Sequence, residues 1–98
     1  MSETSRADLA EGMFEIVNER GLHARAATKL VQTAGRYPCD VFVSSDSAEE
    51  VNAKSVMGVL LLCGAKGTWV RVKARGADAA ACVSAIGELI GGRFGESE

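Results

Sequence analysis

The 98-residue sequence predicts a small α+β domain: a two-layer open sandwich, with a four-stranded antiparallel sheet carrying three helices on one face. Three observations lead there. Four short stretches alternate apolar and polar residues, the pattern of strands with one buried face. Two longer stretches repeat apolar residues at the 3.6-residue period of a helix with one buried side. With a short third helix, the elements run in the order β-α-β-β-α-β-α, and helices of this length can cover one face of such a sheet.

Residues 1–11 are polar and mixed in charge, and are expected to form a disordered tail ahead of a domain spanning 12–92. Residues 13–18 read as a first strand with Phe14 and Ile16 on one face, and Glu19-Arg20-Gly21 then turns the chain. A helix is expected over 24–34, where Ala26, Ala27, Leu30, Val31 and Ala34 form one apolar stripe. Gly35 is its expected C-cap, and Arg36 complements the dipole. Residues 40–45 and 48–52 form a hairpin around Asp46 and Ser47. A short helix follows, for which Ser55 is a natural N-cap. Residues 68–74 alternate cleanly, with Val70 and Val72 facing inward. The last helix is expected to be capped by Asp78, with a stripe of Ala81, Cys82, Ala85, Ile86, Leu89 and Ile90, and Gly91-Gly92 ends it. Residues 93–98 read as a frayed terminus.

Composition narrows the function. At 47% hydrophobic residues the chain can bury a core, built mainly from aliphatic side chains because it holds only three Phe, one Trp and one Tyr. A net charge of -2 argues against nucleic acid as a partner. The longest apolar run, 56–63, is too short to cross a bilayer and is broken by Gly58, so no membrane partner is expected. The first dozen residues lack the apolar core of a secretory signal, which favours the cytoplasm. Cys39, Cys63 and Cys82 form no CxxC pair and the chain has one histidine, so the reading is three free thiols, no metal site and no cofactor.

That histidine stands in Gly21-Leu22-His23-Ala24-Arg25-Ala26-Ala27, where the helical pattern begins. The first N–H groups of a helix lack internal partners and favour anions. A neutral imidazole there can attack phosphorus. The phosphoramidate oxygens would meet the backbone N–H groups of Ala24, Arg25 and Ala26 and the planar guanidinium of Arg25. The same two side chains also fit an ordinary polar helix start, and these residues alone do not choose between the readings. A Ser-His-Asp triad is disfavoured because no GxSxG occurs, and Tyr37 and Trp69 are too few for a base-stacking platform.

Gly21-Leu-His-Ala-Arg25, then Lys29-Leu-Val-Gln-Thr-Ala34, then Val51-Asn-Ala-Lys-Ser-Val-Met-Gly-Val59 resemble the HPr family, the histidine-containing phosphocarriers of the bacterial phosphotransferase system. The element order resembles that family too. The resemblance implies that His23 accepts a phosphoryl group on Nδ1 from a phosphorylated enzyme I-type donor. It then passes the group to an enzyme IIA-type acceptor, as a monomeric carrier and not as an enzyme with its own turnover. It further implies that Arg25 steadies the phosphate, and that Ser55 matches a regulatory serine which in some bacteria meets a serine kinase/phosphorylase. Leu22, Val56, Met57 and Leu60 match partner-docking positions, with core packing as the rival reading for Leu60. Ala26 stands where sugar-type members commonly have proline, which resembles the nitrogen-type paralogues. The alternative function is a regulatory binding module acting through Ser55 and the Val56/Met57 patch with His23 silent; a third is a domain whose partners use the open sheet face.

Overall fold

The computed structural model describes residues 9–46 and 48–98. Residues 1–8 of the expected tail, and Ser47 of the expected turn, lie outside them. The elements are β1 (Leu9–Glu15), α1 (Ala24–Gly35), β2 (Asp40–Ser45), β3 (Ala48–Asn52), α2 (Val56–Leu60), β4 (Trp69–Arg75) and α3 (Ala79–Gly91), followed by a 3-10 turn (Arg93–Gly95). The sheet order is β1-β4-β2-β3, and every pairing is antiparallel. The four-stranded sheet and three helices match the architecture expected of the sequence.

β4 occupies an interior position because it carries the strictest alternation. Val70, Val72 and Ala74 are buried, while Trp69, Arg71, Lys73 and Arg75 face outward. Carboxylates of the two edge strands answer that charge. Glu11 of β1 reaches Arg71 at 3.0 Å, and Glu50 of β3 reaches Lys73 at 3.0 Å. Both pairs are about half exposed, so they contribute register more than stability. The inner face is aliphatic, with Ile16, Leu30, Val41, Val43, Val59, Val72, Ile86 and Ile90 fully buried. The Phe14 ring lies between two glycines. A Cβ on Gly12 would stand 2.7 Å from it, and one on Gly87 of α3 would stand 2.4 Å from it. Two missing side chains therefore let α3 close onto β1 with one ring between them.

Several expectations are corrected. Residues 9–11 are the start of β1, paired to Arg75, Ala74 and Lys73, because β4 offers them an open hydrogen-bonding edge. Gly35 is the last residue of α1, and Arg36 takes the cap, its N–H on the Thr33 carbonyl at 3.2 Å. Asp78 holds the N-cap position of α3 in left-handed conformation (φ 65), and its side chain caps nothing; only its carbonyl serves, accepting from the Cys82 N–H. Ala81 faces solvent, and Val83 takes its place on the buried stripe. Cys39 and Cys82 are buried and Cys63 is exposed. Burial, reinforced by the neighbouring Cys39, pushes the Cys82 thiol up to about 12, which leaves it unreactive at neutral pH.

The largest correction is the C-terminus. Arg93 to Gly95 turn back under the domain, and Phe94 is 0% exposed. The Lys29 Nζ donates to the Phe94 carbonyl at 2.6 Å, and the Glu19 N–H donates to the Glu98 carbonyl at 2.7 Å. The segment read as frayed is a strap across the start of α1. Among the described residues no helix is long and apolar enough to cross a membrane.

Candidate functional site

His23 is the N-cap of α1, with extended backbone (φ -76, ψ 179). The loop leading to it is fixed from two sides. Gly21 adopts φ +65, and a Cβ there would stand 2.3 Å from the Gly64 carbonyl oxygen, so only glycine fits. That same oxygen accepts the Leu22 N–H at 2.7 Å. Asn18, fully buried, donates from Nδ2 to the Gly21 carbonyl at 3.0 Å. The imidazole thus projects from a rigid turn, with 24% of its side chain exposed.

Both ring nitrogens are engaged. The Arg25 N–H donates to Nδ1 at 3.2 Å. Nε2 is hydrogen-bonded to Oε2 of Glu96, from the C-terminal strap. The other carboxylate oxygen of Glu96 accepts from Asn18 Nδ2 at 2.9 Å. A backbone N–H can only donate and a carboxylate can only accept, so this network assigns the proton to Nε2 and leaves the lone pair on Nδ1. The His23 hydrogen bond, then that of Asn18, holds the Glu96 carboxyl below the usual 4.5, so it is ionised at neutral pH.

The surroundings favour an anion. Ala24 and Ala26 stand in the first turn, and neither N–H has an acceptor among the described residues. Arg20, Arg25 and Lys29 line a groove together with Gly95, Glu96, Ser97 and Glu98 of the C-terminal strap. The Arg25 side chain is exposed and joins no ion pair among the described residues. The arrangement sets a ring-nitrogen lone pair beside unpartnered first-turn N–H groups and an exposed guanidinium. No cluster of His, Cys, Asp or Glu fit to hold a metal occurs among the described residues.

The second expected site lies on α2, which packs against α1. Ser55 is its N-cap, and its Oγ accepts the Gly58 N–H at 3.1 Å. Val56 and Leu60 are half-buried against the core, while Met57 is 72% exposed. Leu22 departs from expectation. It is 6% exposed, packed where Gly64 lacks a side chain, and is a core residue unavailable for docking. Leu61, 69% exposed, stands beside Met57 on the apolar patch and was not anticipated. Asn18 and Glu96 were also missed. The one signal was Phe94, a lone aromatic among glycines and charges, which is the composition of an anchor and not of a free end.

A family profile described as "PTS HPr component phosphorylation site" matches residues 10–91. The chain belongs to the HPr family. It is 45% identical over 85 residues to the phosphocarrier protein HPr of Neisseria meningitidis, covering 87% of this chain and 94% of that one. It is 45% identical over 83 residues to the HPr of Pseudomonas aeruginosa, covering 85% and 92%. Among solved structures, HPr from Thermoanaerobacter tengcongensis superposes with a TM-score of 0.85 at 39% identity, covering 91% of this chain and 99% of that one. The matched span includes His23 at the start of α1.

Proposed function

We propose that this HPr-family protein is a carrier whose acceptor atom is Nδ1 of His23. The observation that carries the reading is the state of the ring: Nε2 is occupied by Glu96, while Nδ1 holds a lone pair at a helix N-terminus. The Nδ1 lone pair attacks the phosphorus of a phosphorylated enzyme I-type donor. The Nδ1–P bond forms as the bond from phosphorus to the donor breaks, and that electron pair stays with the donor. The Arg25 N–H, having lost its lone-pair acceptor, turns to a phosphoryl oxygen, joined by the Ala24 and Ala26 N–H groups and the Arg25 guanidinium. The reverse movement delivers the group to the nucleophile of an enzyme IIA-type acceptor. Partners supply in-line positioning at a small, transient interface, and the protein, acting as a monomer, has no turnover of its own.

The test is direct. With phosphoenolpyruvate and purified enzyme I, the protein gains one phosphoryl group that is stable in alkali, lost in acid and located by fragmentation on His23. Phosphate on any other residue, or none, ends the reading. Onward transfer to a permease-type or a regulatory acceptor then separates the sugar branch from the regulatory branch suggested by Ala26.

Ser55 supports a second, regulatory role. Phosphate there would set negative charge beside the exposed Met57 and Leu61, on the surface partners would approach. Ser55→Ala removes the cap on the Gly58 N–H and is expected to lower stability by about 1 kcal/mol in urea denaturation. It should accept phosphate from enzyme I at the unmodified rate, and none from ATP and a serine kinase/phosphorylase. ATP-derived label persisting on the variant would place the regulatory site elsewhere.

A further inference from the structure

The C-terminal strap reaches the phosphoryl-acceptor site, and its anchoring is more elaborate than a tail requires. Phe94 is sunk in the core, Lys29 Nζ grips its carbonyl, and the Glu96 N–H closes on the Arg93 carbonyl at 2.9 Å. These contacts deliver one carboxylate between two donors. Asn18 Nδ2 takes Oε1 and His23 Nε2 takes Oε2. Asn18 is itself immobilised by its bond to the Gly21 carbonyl, so the carboxylate is aimed by a group that can only donate.

We propose that Glu96 is a positioning residue for phosphoryl acceptance, holding the His23 ring by Nε2–H so that the Nδ1 lone pair faces the incoming phosphorus. The inference rests on His23 being the acceptor. It adds two effects. The first is orientation: the carboxylate and the Arg25 N–H pin the ring at opposite nitrogens, and the two contacts agree on one tautomer. The second is charge. As the Nδ1–P bond forms the ring becomes cationic, and the carboxylate already lies against the N–H that shares that charge, as an orienting carboxylate does for a catalytic histidine. Glu96 does not touch the phosphoryl group. Its contact is on the far side of the ring.

Two variants and two readouts test this. Glu96→Gln keeps the size of the side chain but offers one acceptor oxygen to two donors. Glu96→Ala removes the contact altogether. Imidazole 15N shifts at pH 9 need no donor protein. The intact protein is expected to give one nitrogen fully protonated (Nε2) and one bare (Nδ1). In the variants the two values should move toward each other as the other tautomer gains population. The single-turnover rate of phosphoryl uptake at saturating enzyme I should fall about tenfold or more, the worth of one hydrogen bond to a charged group. A third protein ending at Glu96 should retain the intact protein's shifts and rate. If both Glu96 variants keep those shifts and that rate, Glu96 is only a packing residue and the inference fails, while the carrier reading stands. If the intact protein takes no label on His23, the carrier reading falls, whatever the shifts.

Discussion

Replacing His23 with alanine is expected to abolish phosphoryl uptake while leaving the fold in place. His23 is the only histidine in the chain, so no other imidazole can form the alkali-stable, acid-labile phosphoramidate. The fold should tolerate the change because the ring is a surface cap and not a core residue. Its backbone bonds, the His23 N–H to the Gly21 carbonyl and the Ala27 N–H to the His23 carbonyl, do not depend on the side chain. The Arg25 N–H loses an acceptor but can turn to water, and Glu96 keeps Asn18. The cost should stay near the value for an uncapped helix start, about 1 kcal/mol. Mass spectrometry after incubation with phosphoenolpyruvate and enzyme I reads the first effect, and urea denaturation the second. An alkali-stable phosphate on the His23→Ala protein would show that the acceptor is another residue.

Phe94→Ala is expected to be the most destabilising change in the C-terminal segment. A frayed end would lose nothing. A fully buried ring cut back to a methyl group typically costs about 3–5 kcal/mol, out of a total of roughly 5–15 for a domain of this kind. The melting temperature should fall by at least about 10 °C. The same variant releases the strap, so uptake of the phosphoryl group at a temperature where the protein remains folded should slow as it does for the Glu96 variants. A melting point within about 2 °C of the unmodified protein would mean that the core closes without Phe94.

The contrast between these two positions explains what could be read in advance. The signals at His23 are local: a glycine break, a cap position, an apolar stripe starting three residues later. Each lies within one turn of the residue it describes. β4 was legible for the same reason, since its alternation is complete within seven residues. Glu96 contacts His23 across 73 positions of sequence, and no local pattern encodes such a meeting. Residue type also misled where backbone conformation decided the outcome. Asp78 is a good cap by composition, but its left-handed φ turns the side chain away from the helix N–H groups it was expected to meet. Leu22 flanks the histidine in sequence, yet the bare backbone of Gly64 opens a place for it in the core. Leu9 to Glu11 have a polar neighbourhood and became strand because β4 needed a second partner.

The ring of Phe14, seated between Gly12 and Gly87, makes three distant positions a single unit of substitution. A methyl group added at either glycine meets a ring that the opposite glycine was needed to admit. A smaller residue at 14 would leave both glycines guarding an empty slot. Changes at 12, 14 and 87 therefore have effects that depend on one another, and a sequence path from one packing to another must pass through a gap or a clash unless two of them change together. Drift at the interface of α3 and β1 is constrained less by which residues are hydrophobic than by the order in which they can be exchanged.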